Sequence, residues 1–393
     1  MSTALSVLML CDIRNAAQKR VAILDHVRCL EHAAEGRVRV TYVNMAEVKA
    51  FDPRWLEHDV IVLHTTLLCW RWHPQFLALA KSLEWMQQFR GIVVAMPQDE
   101  YDHAHALDDW LTSLNVQIVV TCFGEAFRPL LYPRMHSTAY FVEALTGYLH
   151  PERVAHARTH ALPLSARRTD VVYRANHLPY WFGWLGNIKA RLGLEGPRLL
   201  AQTGLRTNIS VKAEDTVLGD QWLDFLGGSR AILGSESGSS VLDRRGEVAM
   251  HVRALLANRP TLSFDEANAL MDGELSRYHF AALGPRHLEA VMTGTVQVLV
   301  DGDFGGVLRP WVHYVPLQRD LSDLAQLGDV MRDDAMMARI AAQAFADVVE
   351  SGAFTYARFA SHLLDIIDLF RSLAAGASAA SSNTSTASLA SAS

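Results

Sequence analysis

The chain has 393 residues, half of them apolar and a fifth charged, with a formal net charge of −6. That length suits two or three domains with more than one core, and the negative balance excludes a strong positive field drawing the protein to nucleic acid or anionic lipid. No stretch approaches the ~18 apolar residues of a membrane span, and Ala4–Leu10 lacks the preceding basic region of a signal peptide.

In chain order, short apolar runs alternate with amphipathic segments of helical length. Strands are expected at Ser6–Cys11, Val38–Val43, Val60–Leu63, Ile92–Ala95 and Val116–Cys122. Helices are expected at Ala17–Glu35, Pro74–Phe89 and His105–Leu114, where apolar residues recur at three- and four-residue spacing. This alternation argues for a parallel sheet covered by helices, a Rossmann-like domain over residues 1–150. Phe141–Leu149 reads as a helix crossing between domains, and the polar, basic residues 151–168 read as a linker.

A second α/β unit spans 169–350. Its strands are expected at Asp170–Tyr173, Asn208–Val211, Ala231–Gly234, Val296–Val300 and His313–Pro316. Helices fit Leu185–Leu192, Asp220–Leu226, Glu247–Leu256, Phe264–Met271 and Arg286–Met292, with Asp323–Glu350 and Tyr356–Leu373 as closing helices. Residues 374–393 are almost entirely Ala, Ser, Thr, Gly and Asn and read as a disordered tail, lacking apolar surface to offset ordering entropy.

Three clusters could carry chemistry. In Ala231-Ile-Leu-Gly-Ser-Glu-Ser-Gly-Ser-Ser240 a strand ends at Gly234 and small polar residues follow, where open α/β sheets bind ligands. Gly234 and Gly238 permit close backbone approach; Ser235, Glu236 and Ser237 can bond phosphate or sugar hydroxyls. A solvated loop has the same composition. In Gly284-Pro-Arg-His-Leu-Glu289, Pro285 suits a helix start, and Arg286 and His287 fall in a first turn that already favours an anion. Glu289 lies one turn in, able to reach a ribose or simply to stabilise the helix start. In Asp170-Val-Val-Tyr-Arg174 and Trp184-Leu-Gly-Asn-Ile-Lys189, two cations at a crevice suit a diphosphate leaving group; both could equally be surface charges.

The N-terminal half offers Asp99, Glu100, His103 and His64 at strand ends, any of which could act as a general base toward a hydroxyl acceptor. Cys69-Trp-Arg-Trp-His73 could touch an acceptor or a lipid headgroup, or serve as packing. The four cysteines lack CxxC pairing and read as reduced, buried thiols of a cytosolic protein. The histidines show no metal spacing, and no GxGxxG opens a helix as a dehydrogenase would need.

The pattern resembles bacterial GT-B glycosyltransferases of the spore-maturation-protein type. The resemblance rests on Asp170-x-x-Tyr-Arg174, Leu185-Gly186 with Lys189, Trp222-Leu-Asp-Phe-Leu226, Leu233-Gly-Ser-Glu-Ser-Gly-Ser-Ser240, Pro285-Arg-His-x-Glu-Ala290, Gly294-Thr-x-Gln-Val298, Pro310-x-x-His-Tyr-Val-Pro316 and Phe354-Thr-Tyr-x-Arg-Phe359. It implies two Rossmann-like domains facing a central cleft, the second binding the donor and the first the acceptor. By position it makes Glu289 the ribose carboxylate and Arg174, Lys189, Arg286 and His287 the diphosphate contacts. Glu236 with Gly234, Ser235, Ser237 and Gly238 becomes the sugar-facing element, and His313-Tyr314 lies near the base or cleft rim. Asn187, Thr295 and Tyr314 complete the donor-binding set. Glu236 and Glu289 stand about fifty residues apart, so the paired-glutamate rule of many retaining enzymes does not transfer.

The expectation is therefore a cytoplasmic, metal-independent glycosyltransferase, at most peripheral at the inner face of the membrane. It would move a sugar from a nucleotide-sugar co-substrate to a glycan, glycolipid or other hydroxyl acceptor in surface polysaccharide assembly, with no cofactor and no nucleic acid. A nucleotide-sugar epimerase and a catalytically silent sugar-nucleotide-binding partner are the alternatives.

Overall fold

The computed structural model describes residues 4–14 and 21–390, with side chains as far as 374. The first domain is a six-stranded sheet of β1 (Leu5–Cys11), β2 (Val38–Asn44), β3 (Val60–His64), β4 (Ile92–Met96), β5 (Ile118–Thr121) and β6 (Tyr140–Glu143). The order is β2-β1-β3-β4-β5-β6 and every pairing is parallel. β3 and β4 are buried along their whole length, as expected for strands covered on both faces. Leu8, Leu10, Ile61 and Leu63 feed the core on one side; Val7, Met9, Val60 and Val62 feed the other.

The second domain contains β7 (Thr169–Arg174), β8 (Thr207–Ser210), β9 (Ser229–Gly234), β10 (Ser237–Ser239), β11 (Phe280–Ala282), β12 (Val296–Val300) and β13 (Tyr314–Leu317). Five form a parallel sheet ordered β13-β12-β9-β7-β8. β10 and β11 make a separate antiparallel ribbon, which was too short to announce itself by periodicity. Gly238 is required there: its φ is +110°, and a Cβ would fall 1.9 Å from the Phe280 carbonyl oxygen.

Several expected elements differ. Of the helix expected over Ala17–Glu35, the described residues form Val21–Val27 and a 3-10 turn at Cys29–His32; residues 17–20 lie outside the described set. The crossing helix expected at Phe141–Leu149 is instead β6, whose Tyr-Phe-Val run pairs with the edge of β5. The expected linker 151–168 holds a helix, Pro151–His160, with proline at N1 and the His150 ring accepting from the Glu152 N–H at 3.2 Å. The long helix expected at Asp323–Glu350 is broken into Leu327–Arg332, Asp334–Ala344 and a π-turn at Phe345–Glu350; Asp333 starts the second piece by accepting from the Met336 N–H.

The last helix, Tyr356–Ala390, returns to the first domain. Tyr356, Phe359, Ala360, Leu363, Leu364 and Ile367 pack beneath the first sheet. The described backbone of this helix runs on to Ala390. The two crossings between domains meet: Leu149 N–H donates to Phe354 O at 2.8 Å and Tyr356 N–H to Leu149 O at 3.2 Å. A second seam joins the loop after β4 to the loop after β10, through Ala104 N–H to Asp243 O and His105 N–H to Arg244 O, both 3.0 Å. His103 belongs to this seam. Its backbone is left-handed (φ +53°), its Nδ1 lies 2.7 Å from Asp102, and its Nε2 closes on Gly246. It does not line the cleft.

Glu100, a candidate base, is fully buried and structural. It accepts from Thr121 Oγ1 at 2.6 Å, the Cys122 N–H at 2.7 Å and the Tyr132 hydroxyl, tying the loop after β4 to the end of β5. Burial pushes its carboxyl up to about 7 despite these donors. Between the ordinary value near 4.5 and about 7, the folded chain keeps a proton that the unfolded chain has lost. Stability from this group is therefore full at acidic pH and declines as pH rises through that window, by about 3 kcal/mol in total. Glu100→Gln should flatten the dependence of melting temperature on pH between 5 and 7.5. An unchanged slope in that variant would remove the assignment.

The candidate active site between the domains

The helix Pro285–Met292 carries the densest group of candidates. Gly284 and Pro285 open it, and Arg286 and Glu289, three apart, share one face. Its other face is buried through His287, Leu288, Ala290, Val291 and Met292. Arg167, 5% exposed, secures its end. The guanidinium donates to the carbonyls of Leu162 (2.7 Å), Ser229 (2.8 Å) and Thr293 (2.7 Å) and to Thr295 Oγ1 (3.0 Å). Burial lowers its pKa to about 10; the cation sits at a helix C-terminus, where the dipole favours it. Thr295 is thereby part of the scaffold, also donating to Leu226 O at 2.7 Å, and is not a ligand contact.

A cavity of about 340 Å³ lies between the domains. The first domain contributes His26, His64, Gln98 and Asp99; the second contributes Arg174, Lys212, Trp222, Arg286 and Glu289. Trp222 Nε1–H donates to Glu289 Oε2 at 2.7 Å, and the Arg286 guanidinium stands 5.3 Å from the Trp222 ring centre. Arg286 also donates to the carbonyl of Arg174. A second cavity of about 190 Å³ shares Arg174, Ser237 and Arg286 with the first. Lys189, Gly234, Ser235, His287 and Gln297 line it, at the carboxyl ends of β7 and β9.

Arg174 is fixed in place. It donates to Tyr173 O, Asn208 O and Asp215 O at 2.9 Å each and to Asn208 Oδ1 at 2.7 Å, so it brings charge to the cleft more than spare donors. His287 is buried, with Nδ1 2.7 Å from Gln297 Oε1, and burial lowers its pKa to about 4. It is neutral at pH 7 and is not the cationic contact expected. Glu236 is 2% exposed. It accepts from the N–H groups of Asp303 (2.9 Å) and Phe304 (3.1 Å) and meets His279 Nε2 at 2.9 Å. Burial would raise its carboxyl, but His279 and these backbone donors hold it below the usual range. It pins the 302–306 loop and lines neither cavity, so it is not the sugar-facing group expected. Tyr314 is fully buried against Phe304, and its hydroxyl has no partner among the described residues; it belongs to the core and not to the rim. Asn187 and Gly238 line neither cavity either.

Of the four candidate bases, Asp99 and His64 reach the cavity, and Glu100 and His103 do not. Asp99 is left-handed (φ +50°) and exposed, accepting from the Tyr101 hydroxyl at 2.6 Å. His64 is buried. Its Nδ1 accepts from the Thr66 N–H at 3.1 Å, and its Nε2 lies 2.8 Å from His26 Nδ1. Among the described residues no three His, Cys, Asp or Glu side chains are grouped to hold a metal ion. Sequence reasoning left Trp222 without a role and passed over Lys212 and His26. Lys212 follows the end of β8, a position that could have flagged it; Trp222 and His26 sit among apolar neighbours and read as packing.

No family model matches the sequence, and no curated protein matches it. Among solved structures, an α-glucosyltransferase in complex with UDP is 9% identical with a TM-score of 0.50, covering 93% of this chain and 100% of that one. Sucrose-phosphate synthase from Thermosynechococcus elongatus is 13% identical (TM-score 0.49, 95% and 100% covered), and HepE from Anabaena with UDP and glucose is 12% identical (TM-score 0.46, 93% and 99% covered). At such identities the likeness concerns the fold: two parallel-sheet domains in the GT-B glycosyltransferase arrangement.

If Trp222 orients Glu289, then Trp222→Phe keeps the ring beside Arg286 and loses one hydrogen bond to a carboxylate, worth about 1.5–3 kcal/mol. Calorimetry should show nucleoside diphosphate binding weakened at least tenfold, with inorganic pyrophosphate binding unchanged. Equal weakening of both would deny Trp222 this role.

Proposed function

We propose that the chain is a metal-independent glycosyltransferase that moves a hexosyl or related sugar from a nucleotide-sugar donor to a hydroxyl acceptor. One observation carries the reading: the electrostatics of the cleft. Arg153, Arg174, Lys212 and Arg286 line the main cavity and Lys189 the adjoining one, against the carboxylates of Asp99 and Glu289. Such an excess of cations beside a helix start suits a nucleoside diphosphate, whose charge grows as the glycosidic bond breaks. Glu289, oriented by Trp222, supplies an acceptor for ribose hydroxyls. The UDP held by the α-glucosyltransferase of the same fold agrees with this chemistry.

The acceptor enters from the first domain. Asp99 is the base this reading uses, because the Thr66 N–H occupies Nδ1 of His64 and its Nε2 is turned to His26. Closing of the domains would exclude water from the activated sugar. The acceptor is a glycan, glycolipid or similar hydroxyl compound. A second α-glucosyltransferase structure of this fold holds DNA, but a net charge of −6 disfavours that class here. The resemblance to spore-maturation-type enzymes supports a place in surface polysaccharide assembly. A cytoplasmic protein, at most peripheral at the inner face of the membrane, fits that role; no helix among the described residues is long and apolar enough to cross a membrane.

The first test is a thermal-shift panel of UDP, GDP, dTDP, CMP and NAD on the wild type and on Glu289→Ala. One nucleoside diphosphate at 100 times its Kd should stabilise the wild type by about 2.7 kcal/mol and the variant far less. Response to NAD alone, or to nothing, would overturn the donor site. With a competent donor and acceptor, Asp99→Asn should lower kcat about 100-fold or more and leave nucleotide affinity unchanged. Undiminished turnover would remove Asp99 as the base.

A further inference from the structure

His26 lies at the first-domain wall of the main cavity, 4% exposed and part of its lining. No motif singles it out. Its only hydrogen bond among the described residues joins its Nδ1 to His64 Nε2 at 2.8 Å. Phe359 stacks beside it at 6.3 Å and Tyr356 meets it edge-on at 6.4 Å, so the ring is clamped between His64 and the last helix.

The proton positions on this pair follow from one fixed donor. A backbone N–H can only donate, so the Thr66 N–H makes Nδ1 of His64 an acceptor. The Thr66 hydroxyl accepts from the Asp12 N–H at 3.0 Å and so turns its own proton toward the same Nδ1, also at 3.0 Å. Neutral His64 therefore carries its proton on Nε2 and donates it to His26 Nδ1. His26 must then carry its proton on Nε2, the one ring nitrogen of the pair with no hydrogen-bond partner among the described residues. Burial lowers the pKa of His26 to about 4, so the ring stays uncharged at neutral pH.

From this we infer that His26 is a specificity-determining residue whose Nε2–H donates a hydrogen bond to a neutral oxygen, a hydroxyl or carbonyl, of the transferred sugar. The inference rests on the proposed function, since the cavity must hold a nucleotide sugar for His26 to meet one. The ring lines the cavity, so an oxygen of a sugar bound there can accept from this N–H. Being uncharged, the ring offers this bond without adding to the positive charge of the cavity. His64 acts behind it as a positioning residue that sets the tautomer.

Two variants separate this role from packing. In His26→Asn the side-chain oxygen can take over the bond from His64 but nothing reaches the place of Nε2. In His26→Gln the longer amide restores a donor near that place. Calorimetry would compare UDP with UDP-glucose, GDP with GDP-mannose and dTDP with dTDP-glucose on the wild type and both variants. The expected result is unchanged affinity for the nucleoside diphosphate and about tenfold weaker binding of its sugar conjugate to His26→Asn, with partial recovery in His26→Gln; tenfold corresponds to about 1.4 kcal/mol. Equal weakening of diphosphate and conjugate, or no weakening of either, overturns the inference while leaving the donor site standing. A wild type that binds none of the six compounds overturns the proposed function, and this inference with it.

Discussion

The helix that begins at Tyr356 follows the second domain in sequence and packs with the first. Its face of Tyr356, Phe359, Leu363 and Ile367 is buried beneath β1, β3 and β4. Each such side chain contributes roughly 1.5–3 kcal/mol when fully buried, so the chain end is held firmly to the sheet where the chain began. This return obliges the polypeptide to cross between domains twice, and the crossings lie together, joined by main-chain hydrogen bonds between Leu149 and the 354–356 segment. The cleft owes its place to that arrangement. With both connections gathered at one point, the carboxyl ends of β3 and β4 can stand opposite those of β7 and β9 without a third strand of chain filling the gap.

Within the cleft, charge and rigidity are supplied by different residues. Arg286, Lys189 and Lys212 bring positive charge to the cavities, while Arg167, Glu236 and Glu100 are buried and bond backbone groups, hydroxyls and, for Glu236, the His279 ring. Arg167 caps the helix carrying Arg286 and Glu289, Glu236 fixes the 302–306 loop, and Glu100 fixes the loop that presents Asp99. Charged side chains in this chain thus divide between those facing the ligand space and those holding the backbone that surrounds it. Preorganisation of this kind lets a site stabilise developing charge without rearranging as the reaction proceeds.

The fold was largely legible in the sequence because ten of the strands announce themselves. Runs such as Val60–Leu63 and Ile92–Ala95 are continuous and apolar, as suits strands covered on both faces. What escaped were elements fixed by long-range partners. β6 depends on pairing with β5, and the three-residue ribbon of β10 and β11 depends on Gly238 fitting under Phe280. The site was legible at the level of regions and less so of residues. Strand ends and a helix start drew attention to the stretches around 99, 174, 234 and 286, which border the cavities, but such positions do not say whether a side chain turns toward the cavity or toward the scaffold. Glu100 and Asp99 are neighbours, yet the left-handed backbone at Asp99 sends one outward while the other is swallowed by Thr121, Cys122 and Tyr132. Trp222 and His26 were hidden for the opposite reason, since an indole or imidazole among apolar residues reads as filler until its polar atom is located.

The second seam, where residues 104 and 105 pair with 243 and 244, has a mechanical meaning. Its bonds are between backbone groups, so side-chain substitution alone will not loosen them. Beside it, Phe280 of the ribbon packs on Tyr101, Phe123 and Phe127 of the first domain, so the seam runs into a hydrophobic core that both domains share. Parting the domains on this side would bring aromatic surface into water, a cost that keeps this edge of the cleft shut.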